Sequence, residues 1–124
     1  MEHIFYSIGH AEKISWAIKN NDILKIQSRD HIEKYKNKIT DIQSNFVALH
    51  VGLFWAIGVF IVKNDDLITI KLEDETMVRN LKAKLNTNDE FIKKRTHFIN
   101  QLILQRKLEV KFELIELKEN LARE

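Results

Sequence analysis

A nearly uninterrupted apolar stretch, FVALHVGLFWAIGVFIV over Phe46–Val62, constrains this chain more than any other feature. It contains no charged residue, and His50 is its only strongly polar side chain. A helix that is apolar on all sides must be buried on all sides, in lipid or in protein. The sequence therefore predicts a central helix over Phe46–Val62, covered by a sheet on one face and by other helices on the other. On such a helix we expect His50 to be a hydrogen-bonded core histidine rather than a metal ligand.

Polar residues precede the apolar stretch, and a cation follows it. Ser44 or Asn45 is predicted to cap the helix, because a short side-chain oxygen accepts from a free backbone N–H of the first turn. Lys63 lies where a positive charge favours the C-terminal end of the helix dipole. A membrane-spanning helix needs about 20 apolar residues, and this stretch is at the lower limit, contains two glycines and has no flanking basic run. We therefore expect a helix buried in protein and no membrane partner.

The 124 residues are enough for one domain with its own core, and we expect a single domain over 1–124. Cysteine is absent, which excludes disulfides and thiolate chemistry. The first residues show no basic-then-apolar signal pattern, so we expect a cytoplasmic protein. With 20 basic and 18 acidic residues the net charge is only +2, so the distribution of charge says more about partners than its sum.

Alternating apolar and polar residues predict three strands ahead of the central helix. They lie at His3–Gly9, Lys13–Lys19 and Ile23–Ser28. The short connections contain Gly, Asn and Asp, which are typical of turns, so the strands form an antiparallel meander. The polar segment Arg29–Asp41 is predicted to continue as an extended strand and then to become a loop.

The second half of the chain predicts two more strands and two amphipathic helices. Leu67–Leu72 follows the central helix, which favours a crossover and a parallel neighbour. Leu108–Ile115 alternates strictly, as in a half-exposed strand at a sheet edge. Strands 3–9, 67–72 and 108–115 are expected to run parallel in one five-stranded mixed sheet of an α/β fold. The remaining predicted elements are helices over Asp74–Leu85 and Asp89–Lys107 and a truncated last helix over Lys118–Glu124.

This order of elements, with some local sequence, resembles the type 1 ribonuclease H family over nearly the whole chain. Ser44-Asn45-Phe46-Val47-Ala48-Leu49 fits the opening of the family's central helix. Ile70–Val78 fits its fourth strand, the carboxylate after it and the helix that follows. Val110-Lys111-Phe112-Glu113 fits the fifth strand, and Lys118–Arg123 resembles the Asn-x-x-Ala-Asp motif before the last helix.

The resemblance implies an RNA–DNA hybrid as substrate and two divalent metal ions as cofactors, held by four carboxylates. The first carboxylate precedes a glycine in strand one, where this chain has Ile8. The second opens the central helix, where it has Asn45. Asp74, or Glu73 before it, supplies the third, and Arg123 occupies the fourth position. The resemblance therefore implies the fold with most of its metal ligands replaced, and we expect no metal and no cofactor.

Two basic clusters are candidate nucleic-acid contacts. One is predicted around the junction of the two amphipathic helices and comprises Lys82, Lys84, Lys93, Lys94 and Arg95. In the other, Lys34 and Lys36 alternate beside Tyr35 and would share a face if the segment were extended. In active relatives basic residues of the helical region contact the DNA strand. An ordinary solvated surface is the competing interpretation of both clusters.

The leading functional expectation is a catalytically inactive ribonuclease H-like domain that binds duplex or hybrid nucleic acid. One alternative is an active ribonuclease with displaced ligands, Glu73 and Asp74 with Asp41 or Asp30, which would need magnesium or manganese. A second alternative is a protein-interaction module or homodimer that uses the edge of the last strand or the helical face.

Overall fold

The apolar stretch of the sequence lies across one face of a five-stranded sheet. The computed structural model describes residues 1–83 and 87–123. Its strands and helices are β1 (Glu2–Gly9), β2 (Lys13–Lys19), β3 (Leu24–Asp30), α1 (Asp41–Gly58), β4 (Leu67–Leu72), α2 (Glu75–Ala83), α3 (Glu90–Gln105) and β5 (Glu109–Leu114).

The sheet has the strand order β3-β2-β1-β4-β5. β1 pairs with β2, and β2 with β3, in antiparallel register. β1 and β4 are parallel, as are β4 and β5. These pairings confirm the predicted α/β class, the antiparallel meander followed by parallel crossovers, and the edge position of the last strand.

Close contact between α1 and the centre of the sheet depends on Gly52. A Cβ atom at this position would lie 2.7 Å from Cζ of Phe5 and 2.8 Å from Cγ of Trp16. Phe5 and Trp16 are fully buried, as are Leu49 and Leu53 of the helix. α3 packs on another side of α1. The helix is therefore covered by the sheet and by a second helix, as the sequence predicted.

The bounds of α1 differ from the predicted Phe46–Val62. The helix begins earlier because Thr40, not Ser44 or Asn45, is the N-cap: its hydroxyl accepts from the backbone N–H of Gln43, whose side chain accepts from the N–H of Thr40. The helix ends at Gly58, and Phe60 then has a φ of 65°. Lys63 lies beyond this turn and not in the last helical turn.

The expectation that this helix is buried on all sides was wrong at its C-terminal end. Phe54 is 64% exposed and Phe60 is 77% exposed. The sheet and α3 cover only part of the helix circumference, so these rings lie at the surface. Within residues 1–83 and 87–123, no helix combines the length and the hydrophobicity needed to cross a membrane.

Three other segments differ from prediction. The chain after Asp30 forms consecutive turns, not a long extended strand. The second amphipathic helix, α3, is shorter than the predicted Asp89–Lys107. The first, α2, begins at Glu75, one residue later than predicted, and its predicted end at Leu85 falls outside the described residues. The segment predicted to start a last helix forms only a short 3-10 turn over Leu117–Glu119.

Candidate functional site

β1 ends beside the first turns of α1. The side-chain oxygen of Asn45 accepts a hydrogen bond from the backbone N–H of Gly9 at 2.9 Å. A Cβ atom on Gly9 would collide with Ser44, so only glycine allows the strand to end this close to the helix. Asn45, the position that the resemblance puts at the opening of the central helix, therefore lies near the start of α1 and beside the carboxyl end of β1.

Ile8, the position that the resemblance gives to the first carboxylate, lies on the face of the sheet opposite α1, where it packs with Ala122 of the C-terminal segment. Successive strand residues point to opposite faces of a sheet. Phe5 packs against α1, whereas Ile8 packs with Tyr6 and Ala122 on the other face. Ser7 is two residues from Phe5 and therefore points to the same face of the sheet, the face that α1 covers. Its hydroxyl is buried and has no hydrogen-bond partner among the described residues.

Glu73 lies directly after β4 and is held by two residues from the C-terminal segment. Arg123 donates through Nε at 2.6 Å and through Nη2 at 2.7 Å to the two carboxylate oxygens. Asn120 donates to Oε2 at 2.7 Å and also to the backbone oxygen of Ser7 at 3.2 Å. The hydrogen bond with Glu73 raises the pKa of Arg123 above its ordinary value. Arg123 thus places a fixed positive charge beside the carboxylate.

Asp74 acts on the helix that follows it. Its Oδ1 accepts from the backbone N–H of Met77 at 2.8 Å, which caps the start of α2. This is the ordinary structural role of an acid at a helix N-terminus. Asp74 and Glu73 are therefore adjacent in sequence but serve different local interactions.

These residues do not fit a pair of divalent metal ions. In the described parts of the chain, no group of three or more His, Asp or Glu side chains could hold a metal ion. Glu73 is already neutralised by Arg123, and Asn45 contributes no charge. Of the other acids considered as displaced ligands, Asp30 lies at the end of β3 with Lys36 at 3.7 Å, and Asp41 lies in the first turn of α1.

The basic residues of α2 and α3 are mostly exposed to solvent. Lys82 lies in the last turn of α2, and Lys93 and Lys94 lie near the start of α3. Lys93 has Glu90 at 3.3 Å, an exposed pair that does not remove it from solvent. Lys84 lies outside the described residues. Three of the five cations proposed for this cluster are therefore available to a ligand.

Arg95 does not belong with these solvent-facing cations. It donates to Nδ1 of His50 and to the hydroxyl of Tyr35, both at 2.9 Å. Its guanidinium also lies over the rings of Tyr35 and Phe91. Arg95 therefore joins α3 to α1 and to the turn after β3. This bond confirms that His50 is a hydrogen-bonded histidine, but the ring is only partly buried and not in the core. Burial, and then the charge of Arg95, lowers the pKa of His50.

Lys34 and Lys36 do not share a face of an extended strand, because residues 33–38 form turns. The backbone N–H of Lys36 bonds to the carbonyl of Ile32, and Asn37 has a φ of 59°. Lys34 lies over the ring of Tyr35, with Nζ 6.0 Å from its centroid. The predicted alternation therefore fails as evidence for a binding face.

Sequence reasoning missed the role of Asn120, which joins β1 to Glu73. Its signal was present, since it precedes Arg123 in the motif that resembled the family's last carboxylate. A polar residue only 4% exposed needs buried partners, and the partners here come from two distant strand ends. Sequence spacing could not identify them.

Solved structures of ribonucleases H have the same fold over nearly the whole chain. Ribonuclease H1 from the halophilic archaeon Halobacterium salinarum matches with a TM-score of 0.80 and 15% identity, covering 98% of this chain and 91% of that one. LC11 ribonuclease H1, in a complex with an RNA/DNA hybrid, matches with 0.81 and 17%, covering 96% and 88%. The N-terminal ribonuclease H domain of a Mycobacterium tuberculosis protein matches with 0.74 and 10%, covering 98% and 92%.

No protein-family model and no curated protein matches the sequence. Identities between 10% and 17% in the three structures show a shared fold and leave the activity to be argued from this chain's own residues.

Proposed function

We propose that this chain, which has the ribonuclease H fold, is a non-catalytic domain that binds duplex or hybrid nucleic acid. The observation that carries the proposal is the contact of Arg123 and Asn120 with Glu73 at the carboxyl ends of β1 and β4. This contact supports the proposal because Arg123, at the position that the resemblance gives to the fourth carboxylate, is a cation and bonds to Glu73, a candidate for the third. Hydrolysis by the two-metal route would then lack the metal ions that act as Lewis acids. The basic surface of the helices would still be able to bind nucleic acid.

Support for binding comes from charge and from the fold. Lys82, Lys93 and Lys94 offer positive charge on the helical surface next to the sheet. Cations of this kind bind the phosphate backbone by displacing counterions, without regard to sequence. One solved structure of the same fold is a complex with an RNA/DNA hybrid. That analogy supports a nucleic acid as the partner and sets no sequence preference.

Binding is tested with a fluorescent RNA–DNA hybrid and a DNA duplex of equal length. Changing Lys82, Lys93 and Lys94 together to Ala should weaken binding to both. The slope of log affinity against log salt concentration should become shallower by about 0.9 for each phosphate contact that is lost. The matched control changes Lys13, Lys19 and Lys25 to Ala. It removes the same charge near the opposite sheet edge and should have a smaller effect. Equal losses in both variants would mean attraction by net charge alone.

Catalysis is tested by hydrolysis of a labelled hybrid with magnesium or manganese, at neutral and alkaline pH. We expect no metal-dependent cleavage by the wild-type chain. Asp74→Asn and Glu73→Gln are the controls, because each removes one remaining carboxylate. Cleavage that either substitution abolishes would contradict the proposal and support the active alternative.

A converse experiment rebuilds the missing site. Ile8→Asp, Asn45→Glu and Arg123→Asp together should create manganese binding, measured by calorimetry, because Ile8 packs with Ala122, the neighbour of Arg123. The same set with Ser7→Asp in place of Ile8→Asp should bind less well, since Ser7 points to the other face, with Phe5. Equal binding by the two sets would show that the strand face is assigned wrongly.

A dimerisation role is the second candidate, and the exposed edge of β5 favours it. Leu114, at the end of this strand, is 50% exposed. Unpaired strand edges are templates for pairing with another chain. Sedimentation at increasing concentration tests this candidate, and a Lys substitution at Leu114 should shift any dimer towards monomer.

A further inference from the structure

A groove lined by exposed aromatic rings lies at the C-terminal end of α1, far along this helix from Asn45. Its volume is about 550 Å³. Phe54 and Phe60 contribute to its walls, and both are mostly exposed. Its other lining residues are Ile57, Gly58, Val62, Lys63, Asn64, Leu102 and Arg106.

Two residues of this groove, Phe60 and Gly58, are unfavourable for the stability of the folded protein. Phe60 combines a left-handed φ of 65°, which is unfavourable for a bulky residue, with an exposed ring. Gly58 is helical, has no positive φ, and a Cβ there would meet no atom within 4 Å. Alanine would therefore fit and would favour the helix. A glycine that neither conformation nor packing requires leaves open space beside this part of the groove lining.

The charge on the rim of the groove is positive. Lys63 and Arg106 line it, and Lys107 follows directly. None of the described lining residues is acidic. The carboxylate of Asp66 is already bound to His3, to the terminal amino group and to the N–H of Lys63. Asp65 is the nearby exposed acid, and its backbone N–H bonds to the carbonyl of Arg106.

We infer that this groove binds single-stranded nucleic acid, with a base stacked on Phe54 and Phe60 above Gly58 and neighbouring phosphates at Lys63 and Arg106. Aromatic side chains beside a basic rim form sequence-tolerant sites for unpaired bases. The inference goes beyond the proposed function, because it uses other residues and an unpaired strand instead of a duplex. A flat base stacks on an aromatic ring whatever its sequence, and the phosphates beside it pair with cations.

The test measures the fluorescence anisotropy of a labelled oligothymidylate at low salt. Gly58→Leu fills the open space beside Gly58, and Phe60→Gly removes one ring while relieving its left-handed backbone. Each should weaken binding about ten-fold or more. The control is Leu104→Ala, since Leu104 is 76% exposed on α3 but does not line this groove. It should bind like the wild type, and circular dichroism verifies that all variants are folded.

The charge on the rim provides an independent readout. Asp65→Asn removes the nearby acid, and asparagine tolerates the φ of 71° at this position. It should strengthen oligothymidylate binding, while Lys63→Ala with Arg106→Ala should weaken it and reduce its salt dependence. If binding changes neither in Asp65→Asn nor in the variant with Lys63→Ala and Arg106→Ala, the groove does not bind phosphate groups and the inference is overturned.

Several results would overturn the inference. One is undetectable binding by the wild type, and another is binding that Gly58→Leu and Phe60→Gly leave unchanged. A third is self-association of the wild type in sedimentation that Gly58→Leu abolishes, because the groove would then be a protein interface. The outcome is separable from the proposed function, which depends on Lys82, Lys93 and Lys94 and is measured with paired strands.

Discussion

Glu73 is the residue on which the chemistry of the candidate site depends. Its side chain is 12% exposed and its two oxygens face Arg123, which is 39% exposed, so the pair is largely but not completely removed from water. An ion pair in such a setting contributes less than a fully buried one, yet removal of one partner leaves the other charge poorly solvated. The pair therefore stabilises the C-terminal segment and keeps the carboxylate of Glu73 bound to a cation of the chain itself.

Arg123→Met should reduce the free energy of unfolding by about 1–2 kcal/mol, because it leaves Glu73 with only Asn120 as a side-chain partner. Urea denaturation measures the loss. The matched control is Lys118→Met, which removes a cation of the same segment from an exposed pair with Glu116 and should change stability by less than about 0.5 kcal/mol. Equal effects would show that the Arg123 contact adds nothing specific.

His50 makes stability depend on pH. Its pKa in the folded protein is lowered, chiefly by burial and then by Arg95, and burial likewise lowers that of His31. The folded state therefore favours the neutral ring, and its full stability is present above the unfolded value of about 6.5. Stability should fall as the pH drops below that value.

Urea denaturation midpoints at about pH 7.5 and at about pH 5 check this prediction, because the lower pH is below the ordinary pKa of histidine. His50→Gln should show a smaller decrease than the wild type, because it removes one of the two histidines whose pKa is lowered. His97→Gln changes an exposed ring and should retain the wild-type decrease. A decrease in His50→Gln as large as in the wild type would exclude His50 as a source of the pH dependence.

At the scale of elements, α1 determines how the sheet and the helical layer meet. One of its glycines lies against Phe5 and Trp16, and the other lies in open solvent near the end of the helix. The same residue type therefore has opposite roles within one helix. Gly52 permits close packing, whereas Gly58 weakens the helix without any packing reason.

The two glycines provide a matched pair of substitutions. Gly52→Ala should destabilise the protein by about 1–3 kcal/mol, because the new Cβ overlaps two buried aromatic side chains. Gly58→Ala should stabilise it by about 0.5–1 kcal/mol, since nothing opposes the better helix former. Thermal unfolding measures both. Destabilisation by Gly58→Ala would contradict the open environment assigned to that position.

Substitutions of Trp16 and Trp55 test the packing of α1 on the sheet. Their ring centroids lie 5.9 Å apart, but Trp16 is fully buried whereas Trp55 is only partly buried. Trp16→Ala should cost about 3–5 kcal/mol of stability, and Trp55→Ala should cost less because its ring loses less buried surface. A larger loss for Trp55→Ala in denaturant titrations would reverse the assignment.

At the scale of the whole molecule, one hydrophobic core connects the sheet with the helices. The cluster of buried apolar residues contains members of β1, β2, β4 and all three α-helices. The pairing of β1 with β4 joins residues more than sixty positions apart, so neither half completes the sheet alone. We therefore expect the described residues to fold as a single unit.

The chain should therefore unfold in one cooperative transition. Tryptophan fluorescence reports the contact between α1 and the sheet, and far-ultraviolet circular dichroism reports all elements. The two curves should superimpose in urea. Separate midpoints would show that part of the described structure unfolds independently and would contradict a single domain over 1–124.

The sequence by itself determined the strands, the central helix, the parallel crossover and the edge position of β5, because alternation and apolar runs reflect burial directly. Only the tertiary structure decided which face Ile8 occupies, which residue caps α1, and that Arg95 bonds to His50 while Arg123 bonds to Glu73. Side-chain partners are set by the three-dimensional approach of distant segments, which local periodicity does not encode. The groove lined by Phe54 and Phe60 could not be predicted for the same reason. An apolar sequence predicts burial, but it does not show where the sheet and α3 stop covering the helix.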